Sequence, residues 1–137
     1  MAAIGDLETL LTTLSPIEIE GEWVFCSLTA ASHVREAALM KEALASFRET
    51  EGLSLLVPKR LAEEKGLQFD GVFHGITLNV HSSLLAVGLT AAVANCLTQQ
   101  GISANVIAAN FHDHVFVPAA DSERALLALQ NIAPSSA

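Results

Sequence analysis

The chain has 137 residues, 51% of them hydrophobic, and 15 acidic against 7 basic side chains give a formal net charge of −8. That length holds one ordinary domain or two very small ones, and the apolar share is enough for a real core. The acidity argues against non-specific nucleic-acid binding, which relies on Lys and Arg to neutralise phosphates, and equally against an anionic membrane surface.

Ile4, Leu7, Leu11 and Leu14 fall on one helical face, and Asp6 and Glu8 sit in the early turn, where carboxylates suit the helix dipole. Ser15-Pro16 ends this helix. Glu22–Leu28, EWVFCSL, is rich in aromatic and β-favouring residues and predicts a strand. Thr29–Lys41 fits either a helix or a structured loop, with His33 read as solvated. Ala43–Glu49 and Gly52–Val57 predict two strands joined by a turn at Gly52, and Pro58 ends the second. Lys59–Lys65 is a short helix closed by Gly66, and Gln68–His74 reads as a linker.

The second half opens with a strand at Gly75–Val80, in which Ile76, Leu78 and Val80 share one face and Thr77 and Asn79 the other. Ser82 or Ser83 is placed to cap a helix running to about Gln100, where Gly101 stops it. Leu85, Leu89, Ala92 and Cys96 form its apolar stripe, widened by Val93 and Leu97. Ala104–Asn110 and His114–Val117 are two further strands, with His112-Asp113-His114 at the bend. Asp121 or Ser122 caps a last helix, ERALLALQNI. The Val-Pro endings LSLLVP and DHVFVP, each followed by a short charged helix, suggest two copies of one supersecondary unit. The first copy lacks the long helix.

The N-terminal MAAIGDLETLLTTL carries no Lys or Arg, unlike a secretory signal. The longest apolar run, Leu84 to Leu97, is interrupted by Thr90 and Asn95 and falls short of the roughly 20 residues that span a bilayer. Cys26 and Cys96 lie in apolar contexts without a CxxC spacing and read as buried reduced thiols. A cytoplasmic protein is the expectation.

The run ITLNVHSSLLAVGLTAAVANCLTQQGISANVIAANFHDHVFVP resembles the C-terminal repeat of small stand-alone tandem-ACT proteins of bacteria, and EWVFCSL and RETEGLSLLVP resemble their N-terminal repeat. The resemblance implies an α+β fold of two ferredoxin-like βαββαβ-type repeats, with antiparallel sheets, helices on one face and an abbreviated first repeat. Residues 1–67 would form the N-terminal repeat with its leading helix, and residues 68–137 the C-terminal repeat. It implies a regulatory protein without catalytic activity that binds a small-molecule effector, an amino acid, and assembles as a homodimer or higher homo-oligomer. In such proteins effectors bind between paired domains, at the loop entering the first helix and at the adjoining edge strand. Carried onto this chain, the loop is Val80 to Gly88 and the strand Ser103 to Ile107. The implied ligand-binding residues are His81, Ser82, Ser83, Val87, Gly88, Leu89, Thr90, Asn105 and Val106, with no metal or other cofactor.

The assignment is physically coherent: N–H groups at a helix N-terminus favour a carboxylate, and oxygens on a strand accept from an ammonium. Blander accounts exist for the same residues. Gly88 serves tight helix–sheet packing, Asn105 a hydrogen bond at the strand start, and Ser82 and Ser83 plain capping. His112, Asp113 and His114 form a rival feature. Two imidazoles and a carboxylate suit zinc, but a bend breaks the alternation and no second cluster supplies more ligands, so a scaffold role is preferred. A structural partner of another protein is a further alternative. No cysteine carries an activating signature, and Glu49 and Glu51 read as a solvated turn rather than an acid–base pair.

Overall fold

A computed structural model describes residues 6–30, 32 and 34–132. Ile4 and His33, both used above, lie outside the described residues. The chain divides into two compact units, Gly21–Phe73 and a discontinuous unit formed by Met1–Glu20 with His74–Ala137.

The Gly21–Phe73 unit contains the second part of strand β1 (Ser15–Leu28), helix α2 (Glu36–Met40), strands β2 (Ala45–Glu49) and β3 (Gly52–Pro58), and helix α3 (Lys59–Glu64). Its strand order is β2-β3-β1, all antiparallel, with Phe47 opposite Ser54 and Ser54 opposite Ser27. Val24, Cys26 and Leu28 from β1 and Leu55 and Val57 from β3 turn one face of the sheet onto Leu39 of α2 and Leu61 and Ala62 of α3. The stretch that fitted both a helix and a loop becomes the five-residue α2, of which only Leu39 is buried. One anchoring side chain supports no more than a single turn and a half. This short helix is what abbreviates the first repeat.

The discontinuous unit contains helix α1 (Leu7–Thr13), the first part of β1, strand β4 (Phe73–Asn79), helix α4 (Leu89–Gln99), strands β5 (Asn105–Ala108) and β6 (Asp113–Pro118), a 3-10 turn at Ala119–Asp121 and helix α5 (Ser122–Gln130). Asp6 caps α1, its carboxylate accepting from Thr9 N at 2.9 Å and from Thr9 Oγ1 at 2.7 Å. The strand order is β1-β4-β6-β5. Ile76 and Leu78 of β4 and Val115 and Val117 of β6 bury one sheet face beneath Val93 and Leu97 of α4 and Ala125 and Leu129 of α5. Leu10 and Leu11 of α1 enter this same core, 0% and 3% exposed. The helix that leads the sequence thus packs with the elements that end it.

The order β-α-β-β-α therefore occurs twice, as β1-α2-β2-β3-α3 and β4-α4-β5-β6-α5, and the Val-Pro endings occupy the same place in both. Three local expectations change. The first strand starts at Ser15 instead of Glu22, because Ile17 and Ile19 alternate with Glu18 and Glu20 at the two-residue period of a strand. The long helix begins at Leu89, not at Ser82 or Ser83: Leu84, Leu85 and Val87 are 65%, 89% and 85% exposed, and with no core contact nothing drives them into a helix. Asp121 stands at the start of α5 without a side-chain capping bond; its carboxylate instead accepts from Arg124 at 3.1 Å.

Gly75 sits in β4 where space is tightest. A β-carbon there would lie 2.6 Å from Phe116 Cε2 and 2.9 Å from Ile19 Cδ1, so the missing side chain is what lets the Phe116 ring lie against the sheet. No helix among the described residues is long and apolar enough to cross a membrane.

Candidate functional site

The loop between β4 and α4 is ordered by its own hydrogen bonds. Val80 N donates to Leu78 O at 2.8 Å and Ser82 N to Val80 O at 3.0 Å, two tight turns in succession. Val80 and Ser82 are buried at 7% and 9% exposure and hold the loop's entry. Ser83 Oγ accepts from Leu85 N at 3.1 Å and Ser83 O from Ala86 N at 3.0 Å, so this hydroxyl builds a turn where a helix cap was expected. Gly88 ends the loop at φ 107°, a left-handed conformation that a residue with a β-carbon adopts at a cost, and Leu7 Cδ2 lies 2.9 Å from where that carbon would be.

Gly88 is the N-cap of α4, and no side chain among the described residues caps the helix. Ala92 N makes the first intrahelical bond, to Gly88 O at 2.9 Å. The first-turn N–H groups that an α-helix leaves unmatched thus receive no side-chain acceptor, and they carry the positive end of the helix dipole. Leu89 gives its side chain to the core and Thr90 is exposed. Val87, His81, Ser82, Ser83, Gly88 and Thr90 are brought together by this one segment.

Asn105 and Val106 are not brought to it. Asn105 pairs with Phe116, and Phe116 lies against Gly75; nearer the loop, Thr77 Oγ1 meets His114 Nδ1 at 3.0 Å. Asn105 is therefore level with Gly75 at the start of β4, roughly 15 Å along the strand direction from the loop that follows its end. Its amide donates to Phe116 O at 3.1 Å and serves the sheet. Val106 is half-buried against the core. The edge strand β5 is separated from β4 by β6, which the sequence order alone does not reveal.

What does meet the loop is the β5–β6 corner. The Phe111 ring lies 5.7 Å from the His81 ring, tilted by 50°. Phe111 went unremarked in the sequence; the aromatic residue just before His112-Asp113-His114 was the available signal. The histidines themselves alternate with Asp113, as strand geometry requires. Asp113 is buried at 8% exposure, and burial raises its carboxyl above the usual range, against the pull of His114. Burial, followed by the charge of His112, lowers the His114 imidazole. The two rings stand 6.3 Å apart. Among the described residues, no three His, Cys, Asp or Glu side chains are grouped to hold a metal ion. His74, at the far end of β4, lies instead 3.5 Å from Glu18 Oε1. Burial raises both thiols, Cys26 and Cys96, above the usual cysteine value, which is opposite to what a nucleophile needs.

Two family models match the chain, both described as ACT domain, over residues 2–74 and 73–131. A protein of unknown function from Vibrio cholerae, described as a possible transport protein, is 43% identical and has a TM-score of 0.80, with 93% of this chain and 95% of that one covered. A protein from Agrobacterium tumefaciens shares the fold at 18% identity and TM-score 0.71, over 87% and 88% of the two chains. The ligand-free regulatory subunit of aspartate kinase from Thermus thermophilus does so at 11% identity and TM-score 0.59, over 88% and 97%. No curated protein matches the chain.

Proposed function

The chain belongs to the ACT-domain family, and from that premise we propose that it is a non-catalytic regulatory protein that binds an amino acid at the loop from Val80 to Gly88. A regulatory, ligand-binding role follows from the family. The choice of an amino acid and of this loop is our reading, and the uncapped first turn of α4 behind Gly88 is the observation that carries it. The α-carboxylate of the effector accepts from the N–H groups of that turn, and its ammonium is held by backbone carbonyls or serine hydroxyls of the loop. Leu84, Leu85 and Val87 supply exposed apolar contact.

In this reading the protein is a cytoplasmic homodimer or higher homo-oligomer, built from two repeats that succeed one another near residue 67. The exposed leucines and Val87 support self-association, since apolar side chains clustered on one loop favour a covered surface. The backbone of the edge strand β5 at Asn105 and Val106 meets the loop of a second copy, not its own, so assembly completes the site.

Calorimetric titration with each of the common amino acids, read alongside thermal shift, tests the proposal. One or a few amino acids bind saturably, and Gly88→Ala abolishes the heat while leaving the chain folded by circular dichroism. No heat and no shift with any of them would overturn the amino-acid reading. A strictly monomeric species by light scattering, with and without ligand, would overturn the shared site.

A further inference from the structure

A second concave surface lies wholly within the Gly21–Phe73 unit. It is a groove of about 790 Å³ on β1, β2 and β3 and the segment after α3. Phe47 of β2 stands on its rim, 73% exposed. Phe25 of β1 forms another part, its ring fixed edge-on against Phe73 at 5.3 Å and 83°. Phe69 supplies a third ring. Phe47, Ser54 and Ser27 form one row across the three strands and therefore share a face of the sheet.

Two carboxylates, Glu49 and Asp70, line the same groove. The Ser54 hydroxyl donates to Glu49 Oε1 and orients that carboxylate. None of the described lining residues is Lys, Arg or His. The groove is thus aromatic and anionic at once. It repels a carboxylate or phosphate ligand and leaves a neutral one without a charged partner. A cation finds both of its preferred neighbours there, an aromatic face and a carboxylate.

We propose that this groove binds a small organic cation: an ammonium group carried on an apolar or aromatic body. The ammonium sits by Glu49 and Asp70, and the body covers the Phe47 ring. The site is separate from the Val80–Gly88 loop and differs from it in sign, since the loop offers N–H donors to an anion. A zwitterionic amino acid suits the loop; an amine without a carboxylate suits the groove.

Titration of the full 15N-labelled chain with 2-phenylethylammonium, followed by amide chemical shifts, tests the assignment. The neutral probe 2-phenylethanol and the anionic probe 3-phenylpropionate serve as comparisons. The ammonium produces saturable shifts at Ser27, Phe47, Glu49, Ser54 and residues 68–70, and the alcohol binds roughly tenfold more weakly. Glu49→Gln and Phe47→Ala each weaken the ammonium roughly three- to tenfold, without moving the loop resonances. Both positions are exposed, and the same spectra report that the fold is retained; Asp70→Asn repeats the charge test if either variant loses dispersion. Equal binding of alcohol and ammonium, shifts confined to residues 80–88, or no saturation by roughly 50 mM would each overturn the proposal.

Discussion

Replacing Gly75 by alanine places a methyl group where the core has no room. The new carbon lies 2.6 Å from Phe116 Cε2, whereas carbon atoms in contact sit about 3.5–4.0 Å apart, so the ring must retreat by roughly 1 Å. Phe116 is 2% exposed, and its strand is held between β4 and β5, so the ring cannot swing into solvent. Overpacking of this kind costs about 1–3 kcal/mol, and removing a flexible glycine from a strand returns about 0.5–1 kcal/mol. The net expectation is a loss of about 1–2 kcal/mol, read from urea unfolding by circular dichroism, with a fall in Tm of roughly 3–8 °C. A second substitution isolates the cause. Phe116→Leu shortens the ring side, so it costs less in the Gly75→Ala background than in the natural chain, with a coupling of about 1 kcal/mol. Gly75→Ala at or above natural stability, or strict additivity of the pair, would refute the argument that Phe116 occupies the space Gly75 vacates.

Gly88→Ala forces a left-handed conformation on a β-carbon and crowds Leu7, and it lowers unfolding stability by about 1–2 kcal/mol in the same assay. His114 has a folded value below its unfolded one. Its contribution is therefore fully present above the ordinary histidine range and is lost as pH falls below that range, through the lowered value; His114→Gln flattens this limb of a stability–pH profile. Asp113 acts with the opposite sign. Its folded value is raised, so stability falls as pH rises from the ordinary aspartate range through the raised value, and Asp113→Asn removes that decline. Asp6 has a lowered folded value because it accepts from Thr9, so its stabilisation is complete above the ordinary aspartate range and disappears as pH drops further; in Asp6→Ala the helical signal of α1 no longer responds to acid there.

Alternation and turn chemistry carried the strands well. Ile76, Leu78 and Val80 face the core as their spacing requires, and Pro58 and Pro118 end their strands. The apolar pattern failed where it was densest. Leu84, Leu85 and Val87 continue the hydrophobic run of α4, yet periodicity cannot distinguish a helix from an apolar loop, and Gly88 with its positive φ breaks the pattern from within. Short elements were equally opaque: α2 exists because Leu39 finds the core, a tertiary fact. For the candidate site, the segment Val80 to Gly88 was readable as a helix entrance, but the distance to Asn105 was not. It depends on β6 lying between β4 and β5, and on the pairing of Asn105 with Phe116. Phe111 was missed for the same reason, since its contact with His81 joins residues far apart in sequence.

The interleaving of the two units bears on synthesis. Leu10 and Leu11 leave the ribosome before the core that buries them, which requires β4, α4, β6 and α5. The unit that begins first is completed last, and the unit nested inside it has all of its own residues in hand well before. Until those elements emerge, a nascent chain carries the apolar Leu10-Leu11 segment without the core that buries it, a stretch during which a chaperone has a defined segment to hold. By the same logic, a fragment beginning after residue 67 starts life without its own lid of leucines, and supplying residues 6–20 as a separate peptide restores what it lacks.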